Sequence, residues 1–314
     1  MKKLFPIIIG FVFLIACNNP QKKLTYSSNK NDWKPDKLIG KVKTLVQYKA
    51  NVINPGNGET ETPRITFKKE YTKYGMILFQ EYYDNFKNLK QKTKNEYNDK
   101  GLIIKSTTEF YQPYSRMIQT NRYDTAGNLI FTNIAYNDTL SSSAKFAYNT
   151  HKDLVKGTDI QNGDTTVNLF EYRYNKNGKI IWEKKVQNYK SGKDEYLITF
   201  KYDKKGNLIE ERSKSQLFGE MKWVYKYDNK NKLKESSEYE NGQIQNEIYF
   251  NNNHNQTLAR YYENGKLNRE MKFDYKFDKT GNWVIKKAYL KENFLKGKTF
   301  KPVYIETRKI NYYE

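Results

Sequence analysis

The chain carries few groups whose chemistry depends on meeting a partner, and their spacing limits what each can do. Only two histidines occur in 314 residues, His151 and His254. A metal site or an acid–base pair would need their rings to meet, yet each falls in or beside turn-forming sequence far from the other, where imidazole tolerates unusual backbone angles. Two Ser-x-x-Lys spacings, Ser142 to Lys145 and Ser27 to Lys30, match a serine nucleophile activated by lysine. With 56 Lys and Arg in the chain, such spacings arise by chance. Glu210 and Glu211 point to opposite faces of a strand and cannot converge. Asp124, Asp203, Asp228 and Asp278 stand singly, without the dense oxygen cluster that calcium demands. No glycine-rich phosphate loop precedes a helix. These residues predict a non-catalytic protein with no metal and no cofactor. Trp182, Trp223 and Trp283 remain, as rings that could stack on a sugar or anchor a partner. Cross-strand packing within a sheet would use the same rings equally well.

Composition narrows the architecture. Hydrophobic residues make up 37% of the chain, and 28 of those positions are tyrosine. A core built this way is thin and aromatic, because each buried phenol needs a hydrogen-bond partner. The formal charge is +21, and +19 once Lys2 and Lys3 leave with a cleaved leader. The lysines are spread through strand-like stretches, as solvated positions that resist edge-to-edge pairing, rather than gathered in a compact run. An anionic glycan or an envelope protein is the partner such a surface would meet; nucleic acid is not expected.

The N-terminus supplies an address. MKKLF is a short basic region followed by PIIIGFVFLIA, an apolar run too short for the ~20 residues of a membrane-spanning helix. It ends in Leu14-Ile15-Ala16-Cys17, which resembles the lipobox of bacterial lipoproteins, and Cys17 is the only cysteine. The resemblance implies cleavage before Cys17, acylation of that residue, and anchoring of an otherwise soluble domain to a membrane leaflet. By the same analogy, Asn18 lacks the aspartate that retains lipoproteins at the inner membrane. The following NNPQKK also lacks the acidic signal of surface-exported lipoproteins of Bacteroidota. The expected location is the outer membrane, facing the periplasm. The divisions are a leader over 1–16, a lipidated polar tether over 17–36, and one domain over 37–314.

That domain repeats itself. Copies of an aromatic residue, a three-residue link and a turn position start at Tyr71, Tyr97, Tyr123, Tyr148, Tyr174, Tyr202, Tyr227, Phe250 and Phe277, with separations of 23 to 28 residues. Asn or Asp follows the aromatic in eight of the nine copies, suiting the first position of a type I turn. Three residues further on, Gly75, Gly101, Gly127, Lys152, Gly178, Gly206, Asn231, His254 and Gly281 occupy a position that wants positive φ; only Lys152 is costly there. Each copy is therefore a hairpin tip. Second turn signals lie between tips, at Asn162-Gly163, Ser191-Gly192, Asn241-Gly242 and Asn264-Gly265. Each unit of about 26 residues is then two antiparallel strands. The pattern predicts an all-β chain: an opening hairpin over Leu38–Val52 and Arg64–Tyr71, then about sixteen strands up to Phe277 in a long antiparallel meander. So long a twisted sheet should curl into a spiral, an open barrel or packed layers.

The units resemble YD repeats of bacterial Rhs-type proteins, through Tyr123-Asp124…Gly127, Tyr202-Asp203…Gly206 and, with Phe for Tyr, Phe277-Asp278…Gly281. Tyr97…Gly101 and Tyr174…Gly178 fit the same turn with Asn in place of Asp. The shorter Tyr239-Glu-Asn-Gly242 and Tyr262-Glu-Asn-Gly265 resemble the MORN-like repeats of YwqK-family antitoxin proteins. These resemblances imply a β-repeat architecture, with sugar binding or a toxin-neutralising immunity role as functional implications. The expected function is a non-catalytic envelope lipoprotein acting as a binding or scaffold module for a protein or glycan. An immunity or antitoxin protein is the first alternative. An envelope enzyme is the second, and it would require a pocket gathering acidic residues from several repeats.

Overall fold

The computed structural model of the protein describes residue 32 and residues 36–189, 192–215, 219–292 and 299–314. The leader, Cys17 and most of the tether lie outside the described residues. All nine aromatic positions end a strand, and the residue three places beyond each Asx position has positive φ, from 59° at His254 to 93° at Gly281. At the Tyr202 tip, the Asp203 N–H donates to the Asn207 carbonyl (2.9 Å) and the Gly206 N–H returns to the Asp203 carbonyl (3.0 Å). The Asp203 carboxylate then accepts from the Asn207 backbone (2.8 Å) and side-chain amide (2.9 Å). Pairing slips by one residue between Lys201 and Tyr202, the bulge expected after a type I turn with a left-handed residue. A Cβ at Gly206 would sit 2.4 Å from Lys179 Nζ, at a φ of 83° that L-residues avoid.

Sixteen strands, from Ile77–Tyr83 to Lys266–Phe277, occupy the stretch between the first and last tips. One further tip lies at the opposite end of the strands, where Asp84 caps a turn with Lys87 at φ 68°. Every strand pairs antiparallel with its chain neighbour. The sheet then closes on itself: the first strand, Val42–Asn54, pairs with Arg64–Tyr71 on one side and with the last strand, Lys301–Tyr312, on the other. Only the two-residue strand Glu59–Thr60 stands outside the ring, leaving twenty strands in a closed barrel.

Closure is built around a buried hydrophobic cluster. Val42, Leu45 and Tyr71 are wholly buried and Leu38 nearly so, packed against Phe67, Ile77, Ile310 and Tyr312. Each such side chain contributes about 1.5–3 kcal/mol on burial. Asn282 locks the seam further: its amide donates to the Ile39 carbonyl (2.8 Å) and the Tyr312 hydroxyl (2.7 Å), and its oxygen accepts the Ile39 N–H (2.7 Å).

The wall is one sheet thick and its two faces differ. Lys94, Glu96, Arg122, Lys145, Glu171 and Lys201 are exposed on one face, whereas Thr93, Ala144, Asn168, Phe170, Phe200 and Glu211 are buried on the other. In a closed ring the buried face is the interior. Barrels of sixteen or more strands enclose more space than wall side chains fill. Most interior tyrosines are accordingly half-buried rather than sealed.

The left-handed positions give a direct check on the fold. Lys152 sits at φ 65° without the freedom of glycine, so Lys152→Gly should stabilise the protein by about 1 kcal/mol. Gly206→Ala should destabilise it by at least as much. Both shifts are read by urea unfolding followed by far-UV circular dichroism.

Candidate functional site

The interior wall is the candidate functional surface, and strand alternation decides which side chains line it. Along Asp164–Tyr174 the inward residues are Asn168, Phe170, Tyr172 and Tyr174; along Gly192–Tyr202 they are Asp194, Tyr196, Ile198, Phe200 and Tyr202. Register across the ladder then carries the parity to Glu183 and Lys185, paired with Tyr172 and Phe170, and to Glu211 and Trp223, paired with Phe200 and with each other.

The repeat tyrosines have a constructional task. The hydroxyl of Tyr97 donates to the Ile77 carbonyl (2.6 Å), that of Tyr123 to Ile103 (2.7 Å), that of Tyr148 to Leu129 (2.8 Å) and that of Tyr202 to Ile180 (2.8 Å). Each acceptor lies just past the preceding tip, where the bulge interrupts the ladder. Near the tips at Tyr174 and Phe277, the aromatic two residues earlier makes the link: Tyr172 to Leu154 and Tyr275 to Gln256, both at 2.8 Å. Tyr174 instead donates to Asp153 (2.6 Å) and stacks on His151 (ring centroids 4.7 Å apart). His254 occupies the left-handed position of its own tip, far along the wall from His151.

The three tryptophans do not share a surface. Trp182 lies on the outer wall with the Arg173 guanidinium 4.6 Å from its ring centroid. Trp223 lies inside, between Glu211 and Glu238 on the flanking strands. Trp283, expected to be exposed, is 8% exposed: it packs in the seam beside Tyr275, and Arg308 covers its ring at 3.6 Å. The bulge after Lys276 turns it into the wall.

Two carboxylates that the sequence did not single out as a pair stand on this interior face. Parity separates Glu210, which meets Lys201 outside (2.9 Å), from Glu211 inside. Glu211 and Glu183 flank the strand Gly192–Tyr202, one on each side. Burial pushes both carboxyls up to about 7; Glu183 adds repulsion at Glu211, while Lys185 partly offsets the effect at Glu183. Such groups exchange protons near neutrality, the property a general acid or base needs. They face an open wall, and among the described residues no trio of His, Cys, Asp or Glu could hold a metal ion. The tip carboxylates are otherwise engaged: hydrogen bonds from Asn207 hold Asp203 below the usual carboxylate range. At the rim, a groove between the Asp203 and Asp228 tips is bordered by lysines and by these same turn-capping groups.

No family model matches the chain, and no curated protein matches it. Among solved structures, a porin-like protein from Bacteroides uniformis aligns over 87% of this chain and 99% of its own, at 8% identity and a TM-score of 0.35. TcdB2-TccC3-TEV aligns over 77% of this chain and 16% of its own, at 11% identity and a TM-score of 0.23.

Tyr123→Phe should cost about 0.5–1 kcal/mol, because it removes one of the two donors to the Ile103 carbonyl and leaves the Asn121 amide (3.0 Å) as the other. The interior carboxyls predict a pH dependence with a definite sign. Their folded pKa values exceed the unfolded ones, so the native state holds more protons, and stability falls as pH rises from about 4.5 through 7. Glu183→Gln should flatten that fall, which urea midpoints measured at pH 5 and pH 8 will register.

Proposed function

We propose that the protein is a non-catalytic, lipid-anchored barrel of the bacterial cell envelope, serving as a binding or scaffold module for a protein or glycan. The observation that carries this reading is the division of the wall. Basic side chains project outward near mid-strand, at Lys94, Lys184, Arg212 and Lys222, where a lipid-facing Lys or Arg would cost about 2–4 kcal/mol each near the bilayer centre. A barrel of this kind belongs in water beside the membrane, and the lipobox-like Leu14-Ile15-Ala16-Cys17 provides the means of holding it there. Inside, half-buried Tyr172, Tyr202 and Trp223 present ring surface along a wall whose backbone is already satisfied, as recognition of a sugar or an aromatic-anchored protein segment requires.

The reading has two separable parts. Cys17→Ser should abolish acyl labelling and move the protein from the membrane to the soluble fraction; unchanged fractionation would remove the anchor from the proposal. Retention on envelope polysaccharide at physiological salt should fall in Trp223→Ala and persist in Trp182→Ala if the interior is the binding surface. Loss with Trp182 alone would place binding outside. A single protein partner held at fixed stoichiometry, with no retention on polysaccharide, would support the immunity reading instead.

A further inference from the structure

Beside the seam that closes the barrel lies an open pocket of about 210 Å³, lined by Asp36, Lys37, Tyr275, Trp283, Lys286 and Arg308 among others. We propose that this pocket is a binding site for a small oxyanion, a carboxylate or phosphate group. It lies apart from Trp223 and needs neither that ring nor the lipid anchor.

The case rests on charges that the protein gathers and does not neutralise. The Arg308 guanidinium sits over the Trp283 ring, 3.6 Å from its centroid, and among the described residues its hydrogen bonds go to neutral acceptors: Nε to the Gln47 side-chain oxygen (3.0 Å) and Nη1 to the Asp36 backbone carbonyl (3.3 Å). Of five guanidinium N–H donors, three remain. The Lys37 ammonium donates to the His254 carbonyl, also neutral. Lys286 is paired with Glu306 at 3.0 Å. The nearby acids are committed elsewhere. Both Asp36 oxygens accept from Lys69 at 2.8 Å, one of them also from the Tyr71 hydroxyl at 2.7 Å, and Asp32 accepts the Ile77 N–H at 2.8 Å. Four cations, Lys37, Lys69, Lys286 and Arg308, therefore stand against three carboxylates, of which Asp36 and Glu306 are already paired with Lys69 and Lys286 and Asp32 is turned to the Ile77 N–H.

Cations withdrawn from water are disfavoured unless an anion compensates them. Their acidities follow: burial brings Arg308 down to about 10, while Lys37, open to solvent on one side, is lowered by the part of it that is covered and by repulsion from Lys286 and Arg308. An oxyanion in the pocket would accept from both side chains and relieve both effects. The pocket is smaller than the ~300 Å³ of sites that take drug-sized ligands, so it holds the acidic group while the rest of the molecule extends through its open side. Trp283 contributes by seating the guanidinium against its ring, which is itself 8% exposed.

Isothermal titration of the full-length protein in detergent, at 0.15 M salt to screen diffuse surface attraction, decides the matter. The probes are glucuronate, inorganic phosphate and glucose. Saturable binding of either anion, with glucose silent, is the expected result, and whichever anion binds identifies the group. Lys37→Ala, at an exposed position that leaves the packing intact, should weaken binding roughly tenfold, as loss of one charged contact does. Arg308→Lys, which keeps the charge and loses the planar fork, should weaken it as well. Absence of saturable heat with both anions, an equal response to glucose, or affinity unchanged in both variants would overturn the proposal.

Discussion

The pairing of Val42–Asn54 with Lys301–Tyr312 removes the two free edges that a meander of this length would otherwise present to other chains. Open edges on a sheet of twenty strands would be long, regular and ready to pair. Closure also creates the two faces on which everything else depends, because only a ring distinguishes inside from outside. The seam is accordingly where the apolar side chains are concentrated. Among the described residues, Val42, Leu45, Tyr71, Asn282 and Asp194 are the largest side chains with under 2% exposure, and the first four belong to the seam.

Local features were legible in the sequence and non-local ones were not. A type I turn with a left-handed residue is specified by the few residues within it, which is why Tyr202-Asp203…Gly206 and its eight relatives announce their tips without reference to anything distant. Even the atypical copies, Lys152 and His254, take the backbone angle that their place in the period assigns. The tip at Asp84 escaped because Lys87, and not Gly or Asn, fills its left-handed position, so no turn-forming pair marks it. Closure was less accessible: it joins residues near 40, 71, 280 and 310, and no local pattern states that these meet.

The same distinction governs the side chains. Alternation separated Glu210 from Glu211 correctly, since the two are adjacent on one strand. The tryptophans fared differently because each tip inserts one extra residue and resets the count of inward and outward positions. Parity must be carried through a bulge before the side of Trp182 or Trp283 can be known. The weakened acidity of Glu183 and Glu211 lies further still from the sequence, for it arises from burial on the wall, where Tyr172, Ile198, Phe200 and Trp223 are their cross-strand neighbours.

The tyrosine links have a mechanical corollary. Each ties a tip to the one before it, and the Tyr313 hydroxyl, bonded to the Tyr71 carbonyl, carries the series across the seam. One mouth of the barrel is thus a hoop of fastened segments, further tied where Lys100, Lys205 and Lys232 reach carbonyls of the following tip. The far mouth is drawn round tight turns such as Asn162-Gly163 and Asn264-Gly265. Neighbouring hairpins are fastened there too, where Asn137 exchanges hydrogen bonds with the Arg116 backbone and Asn241 with that of Glu220. Ovalling either mouth therefore means breaking hydrogen bonds between hairpins, and whatever enters the barrel meets a ring that resists being deformed to admit it.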